Sequence, residues 1–218
     1  MSRLIDEIND YKKSFKDLVP KEIQDTMLKA TKELEVMQLS KNSLNVGDKA
    51  KEFLLQNAVG NAVSLSTLLK SNDFVVLNFY RGLWCPYCNL ELKALQTINN
   101  ELINLNAKLV AISPQSPDFS LDTKEKNELD FEVLSDTDNL TASEYGLVFS
   151  LKNELKPIYE SFGIDIPTSN QNSSYELPMP AIFIINKNKD IIFSFIDEDY
   201  TKRCEPQKIL DIINENTN

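Results

Sequence analysis

Cys85 and Cys88 enclose the dipeptide Pro86-Tyr87, and they are two of only three cysteines in a chain of 218 residues that has no histidine. Two thiols at this spacing in the first turn of a helix reach each other, so a reversible disulfide is open to them. Without imidazole the chain has no Ser-His-Asp or Cys-His nucleophile and no histidine metal ligand. A thiol must then be activated by a helix terminus or a cation. Both lie nearby. Pro86 suits the first turn of a helix, where its missing N–H costs nothing. The free N–H groups and the positive end of such a helix lower a thiol pKa from about 8.5 toward neutrality or below. Arg81, four residues before Cys85, is a second positive charge near the sulfur. Half a zinc site is the competing reading, but only Cys204 and carboxylates remain as further ligands. No metal is expected.

The elements that must position the pair follow from the pattern around it. Phe74 to Tyr80 is almost continuously β-branched and aromatic, as in a strand buried on both faces of a sheet. After Arg81-Gly82-Leu83-Trp84 and the dithiol comes a long helix with Leu92, Leu95, Ile98, Leu102 and Leu105 on one face. Strands are expected at 53–55, 63–65, 108–113, 131–134, 180–185 and 191–196, the last two forming a hairpin through the turn at Asn186 to Asp190. Helices are expected at 67–70 with Ser66 as cap, at 117–129, at 138–145 closed by Gly146, and at 206–214. Residues 147–177 read as an irregular surface loop. The sum is an α/β mixed sheet flanked by helices, with a C-terminal antiparallel hairpin.

Residues 1–43 form a separate N-terminal helical extension, and 44–218 the main domain. Leu4, Ile8, Tyr11, Phe15 and Leu18, then Ile23, Met27, Ala30, Leu34 and Met37, step by four and three, which marks an apolar stripe along each of two helices, about 2–18 and 20–39. The stripe packs either on its own domain or on a second copy in a homodimer. A net charge of −10 argues against nucleic acid and anionic membranes as partners. Five glycines make no phosphate-binding loop, so no cofactor is expected. No run of about 20 apolar residues could span a membrane, and three cysteines are too few for a disulfide scaffold. A cytoplasmic protein with reduced thiols is the expectation.

Beyond these physical readings, the chain resembles a family. Val46-Gly47-Asp48-Lys49-Ala50, Phe53-Leu54-Leu55 and Val63-Ser64-Leu65 are similar to the entry of the peroxiredoxins, the alkyl hydroperoxide reductase/thiol-specific antioxidant family. Phe79 to Cys88 is similar to a branch carrying Arg-Gly-x-Trp-Cys-Pro-x-Cys, and Asp199-Tyr200-Thr201-Lys202-Arg203 with Glu205-Pro206 fits it too. The resemblance spans about 44–213. It implies a thioredoxin-like fold and a thiol-dependent peroxidase that reduces hydroperoxides through a Cys85/Cys88 dithiol–disulfide cycle. The reductant would be of thioredoxin type or glutathione, whose glutaredoxins share the Cys-Pro-Tyr-Cys dithiol. The family's usual Pro, Thr and distant Arg fall here at Arg81, Cys85 and Pro180. Counted without gaps, Cys88 takes the peroxide-attacking position; matched by Cys-Pro, Cys85 does. Met179-Pro180 resembles the cis-proline that faces the dithiol in thioredoxins. Trp84, Pro86, Tyr87, Met179 and Pro180 are therefore expected to line the substrate groove. A protein disulfide oxidoreductase and a non-catalytic redox-sensing module are the alternatives. Lys202 and Arg203 read as a solvated face, and Cys204 as incidental.

Overall fold

The structure is a computed structural model, and it describes residues 3–217. Two helices, α1 (Leu4–Leu18) and α2 (Lys21–Met37), come first and are separated at Pro20. A hairpin of β1 (Leu54–Asn57) and β2 (Ala62–Ser64) leads through α3 (Leu65–Ser71) to β3 (Phe74–Phe79) and α4 (Pro86–Asn104). Then follow β4 (Ala107–Ser113), α5 (Pro117–Lys126), β5 (Glu132–Ser135) and α6 (Leu140–Glu144). An inserted stretch holds β6 (Val148–Ser150), α7 (Lys156–Ser161), α8 (Ile166–Asn170) and β7 (Glu176–Pro178). The hairpin of β8 (Ala181–Asn186) and β9 (Ile191–Ile196) and the helix α9 (Pro206–Asn216) complete the chain.

Seven strands form one mixed sheet in the order β2-β1-β5-β4-β3-β8-β9. Its centre is parallel, β3 with β4 and β4 with β5, while β8 and β9 add antiparallel edges. Every residue of β3 is buried, as the continuous apolar run predicts. The pleat sends alternate residues to opposite faces. Val76, Leu109 and Ile184 join α1, α4 and α9 in one cluster, while Leu77, Val110 and Phe183 join α3 and α6 in the other. The expected mixed α/β sheet with its C-terminal hairpin is therefore present.

Two expectations change. The cap of α3 is Ser64, whose Oγ accepts from the N–H of Thr67 at 3.2 Å, so the helix begins two residues before Ser66 would allow. The segment 147–177 is ordered rather than irregular. Its elements run only three to six residues, too short to show periodicity, and β6 pairs with β7 across the insertion. Leu151, Leu155, Tyr159, Ile166 and Leu177 build a third core there with Ala30 of α2.

The extension packs on the rest of the chain. Leu4 and Ile8 are buried in the same cluster as α4 and α9. The N–H of Ile5 donates to Glu205 Oε1 at 2.8 Å, and Lys152 pairs with Glu33 at 3.2 Å. Of the two ways to cover the stripe, α1 packs it within the chain, and no second copy is needed to bury Leu4 and Ile8. The expected first position of that helix, residue 2, lies outside the described residues.

Candidate active site

The turn between β3 and α4 carries the dithiol. Cys85 is the N-cap of α4, and Pro86 opens the helix as predicted. The N–H groups of Cys88 and Asn89 both donate to the Cys85 carbonyl at 3.1 Å. The preceding loop is pinned from outside itself: the Leu83 N–H donates to Gln115 Oε1 at 2.7 Å, and the Leu83 carbonyl accepts from Asn89 Nδ2 at 2.7 Å. Gly82 takes a φ of +155°, and a Cβ there would stand 2.5 Å from Trp84 Nε1. Only glycine tolerates both that backbone and that approach.

All three cysteines are free thiols, and each is buried. Cys85 is buried although it stands at the start of its helix. Helix α1 lies over it, with the Tyr11 ring edge-on to Tyr87 at 5.2 Å. What remains in front of the sulfur is a cavity of about 330 Å³ lined by Cys85, Tyr11, Trp84, Pro86, Tyr87 and Tyr200 among others; Cys88 lies behind it. Of the five residues expected to line a substrate groove, Trp84, Pro86 and Tyr87 border this cavity. Met179 and Pro180 do not line this cavity. Met179 is fully buried in the cluster on the opposite face of the sheet, and its N–H donates to the Leu147 carbonyl at 2.8 Å. No described peptide bond is cis, so Met179-Pro180 is trans and lacks the geometry that the thioredoxin likeness suggested.

Two arginines flank the thiols. Arg81 is 4% exposed. Its guanidinium lies 4.2 Å from the Tyr200 ring centre and 5.0 Å from that of Trp84, and Nη2 donates to the Tyr159 hydroxyl at 3.2 Å. Arg203, expected on a solvated face, is buried instead, while its neighbour Lys202 does bridge to Asp197 at the surface. The correction has a cause in α4. Glu91 follows Cys88 by three and precedes Leu92, so it sits within the buried stripe of that helix. A carboxylate there requires a partner. Arg203 supplies it, Nε lying 2.9 Å from Glu91 Oε2 with both side chains almost wholly inaccessible. Arg203 Nη2 then reaches Cys88 Sγ at 3.5 Å, and Nη1 donates to the Lys202 and Tyr200 carbonyls. An acid inside an apolar stripe was the available signal for this pair.

These groups divide the two thiols electrostatically. Burial opposes ionisation of Cys85, but the Cys88 thiol as hydrogen-bond donor, the charges of Arg81 and Arg203, and the Cys88 N–H together outweigh it and bring Cys85 to about 5. Cys88 moves the other way, raised by burial and by the hydrogen bond it gives to Cys85. One thiolate with one neutral thiol beside it is the arrangement that results. Glu91 rises to about 6, because burial outweighs the attraction of Arg203. Cys204 is pushed up to about 12 by burial and by Glu91, which leaves it inert at neutral pH.

Comparison with known proteins places this geometry. The profile of the AhpC/TSA family matches residues 46–205. A putative peroxiredoxin, bcp, of Haemophilus influenzae is 34% identical over 106 residues, 49% of this chain and 67% of that protein. Peroxiredoxin Bcp of Escherichia coli is 28% identical over 106 residues, with the same coverage of 49% and 67%. Among solved structures, peroxidoxin BcpB from Mycobacterium tuberculosis superposes with a TM-score of 0.62 at 21% identity, over 79% of this chain and 97% of that one. Peroxiredoxin Q of Xanthomonas campestris gives 0.58 at 14% identity, over 76% and 92%. The structural likenesses establish a thioredoxin-like peroxiredoxin fold. With the profile covering most of its length, the chain belongs to the AhpC/TSA family.

Proposed function

We propose that the chain is a thiol-dependent peroxidase in which Cys85 attacks the hydroperoxide and Cys88 resolves. The observation that carries this assignment is that Cys85, and not Cys88, lines the cavity. The Cys85 thiolate attacks the terminal peroxide oxygen; the O–O bond breaks, that oxygen and its hydrogen stay on sulfur as a sulfenic acid, and the alkoxide or hydroxide leaves and takes a proton from solvent. Arg81 faces the charge that develops on the departing oxygen, in place of the family's usual groups. Tyr200 also lines the cavity, and burial keeps its hydroxyl protonated as a donor. Cys88, with Arg203 beside its sulfur, then displaces water from the sulfenic acid to form the Cys85–Cys88 disulfide. Two electrons from an external thiol, a thioredoxin-type dithiol or glutathione, restore the pair.

A small hydroperoxide fits the chamber of about 330 Å³ that Tyr11 and Trp84 line. No helix among the described residues is long and apolar enough to cross a membrane. Unpaired thiols of this kind fit a reducing compartment such as the cytoplasm.

Rapid mixing of reduced protein with hydrogen peroxide tests the reading. Oxidation far faster than that of free cysteine is expected, and a rate equal to free cysteine's would remove it. Trapping of sulfenic acid in Cys88→Ser, but not in Cys85→Ser, assigns the attacking sulfur; the reverse result would transfer the role to Cys88.

A further inference from the structure

Arg81 lines two cavities. One is the chamber in front of Cys85. The other, of about 550 Å³, lies beyond it between α2 and the inserted segment, and the two share Met27, Arg81, Tyr159 and Tyr200. The second cavity falls within the size range of small-molecule sites. Its walls are mostly apolar: Met27, Ala30 and Leu34 from α2 face Phe149, Leu151 and Leu155. Its other charged residues are engaged. Lys152 pairs with Glu33 at 3.2 Å, and Glu198 accepts the Ser40 N–H at 2.9 Å.

Arg81 differs. Among the described residues no carboxylate forms an ion pair with it, whereas Arg203 has Glu91. It has three aromatic faces and one tyrosine hydroxyl, and its Nε has no partner. A desolvated guanidinium is held poorly by ring faces alone. It is also well suited to a planar anion, which it grips with two parallel hydrogen bonds. An apolar chamber ending on a buried arginine with no paired carboxylate among the described residues matches a molecule with a hydrocarbon body and one anionic head.

We propose that this second cavity binds a chain carboxylate, its head on Arg81 and its hydrocarbon along α2. The N-terminal extension then supplies one wall of a ligand site that lies outside the dithiol chamber. Occupancy also bears on the thiol. A carboxylate on Arg81 neutralises a charge that helps hold Cys85 ionised, so a bound ligand raises the pH at which that sulfur becomes a thiolate. This second effect rests on Cys85 being the attacking thiol; binding itself does not.

Isothermal titration of the full chain with dodecanoate tests the site. Saturable binding is expected, with dodecanol about tenfold weaker because it lacks the charge-assisted contact. Ala30→Phe fills the chamber and should abolish binding while the rate of oxidation by hydrogen peroxide stays unchanged. Should Ala30→Phe fail to fold, Leu34→Phe, at a half-buried position, carries the same comparison. Equal affinity for dodecanoate and dodecanol, no binding of either, or undiminished binding by a folded Phe variant would overturn the proposal. In a parallel measurement, saturating dodecanoate should raise the pH midpoint for alkylation of Cys85 by iodoacetamide. An unchanged midpoint with binding intact would remove only the coupling to Cys85, and so separates failure of the thiol assignment from failure of the site.

Discussion

At the Cys85 sulfur, burial is opposed by a neighbouring thiol, two guanidinium groups and a backbone N–H, and the sum sets the acidity at about 5. The thiolate is the reactive form, and it is protonated only as pH falls through that value. Alkylation of Cys85 by iodoacetamide, mapped by mass spectrometry, should therefore be independent of pH near neutrality and decline in acid around 5. In Arg81→Gln the midpoint should rise, because one stabilising charge is gone; a midpoint unmoved would show that Arg203 and Cys88 suffice. The Glu91–Arg203 pair behaves differently, since each charge is buried against the other. Glu91→Gln leaves a lone buried guanidinium and should cost about 3–5 kcal/mol in urea unfolding. Replacing both, as Glu91→Met with Arg203→Met, should recover much of that loss but weaken the setting of Cys88. The dithiol and Arg81 were readable because their relation is local, within one turn and the loop before it. Arg203 was not, because its partner lies on another element far along the chain; Glu91 within its apolar stripe signals that a partner is needed but not which residue supplies it.

Helix α1 acts as a cover, and the change in reading is greatest at this scale. Its stripe was legible as period and phase, but not its destination, since a narrow apolar face fits a domain surface or a twin equally well. The structure seats Ile8 fully inside the main core. Ile8→Ala should lower stability by about 2–5 kcal/mol, the usual cost of emptying such a site, read as a shift in the denaturation midpoint. Tyr11 contributes more to access than to the core, so Tyr11→Ala should speed modification of Cys85 with little loss of stability. Slower or equal modification would mean that α1 does not restrict entry. Long periodic segments such as α4 and the continuous run of β3 were legible within a residue or two. The inserted segment was not, because its short strands find each other only after the chain has folded back.

Across the whole molecule, the family domain supplies the sheet, the dithiol and Arg203, while residues outside the matched span supply the cover and one wall of the second cavity. Access to sulfur is thus decided by a part of the chain that the common domain lacks. The loop before Cys85 depends on Gly82 in the same way that the site depends on the loop. Gly82→Ala should push the indole aside and lower both thermal stability and the rate of thiol oxidation. Trp84 itself has one more consequence. It is the only tryptophan in the chain and stands 5.0 Å from the Arg81 guanidinium, edge-on to Tyr159. Every photon of indole fluorescence from this protein therefore originates at the rim of the thiol chamber, so emission should change as the dithiol is oxidised and reduced, without any attached dye; identical spectra of the two states would show that the indole does not sense the pair.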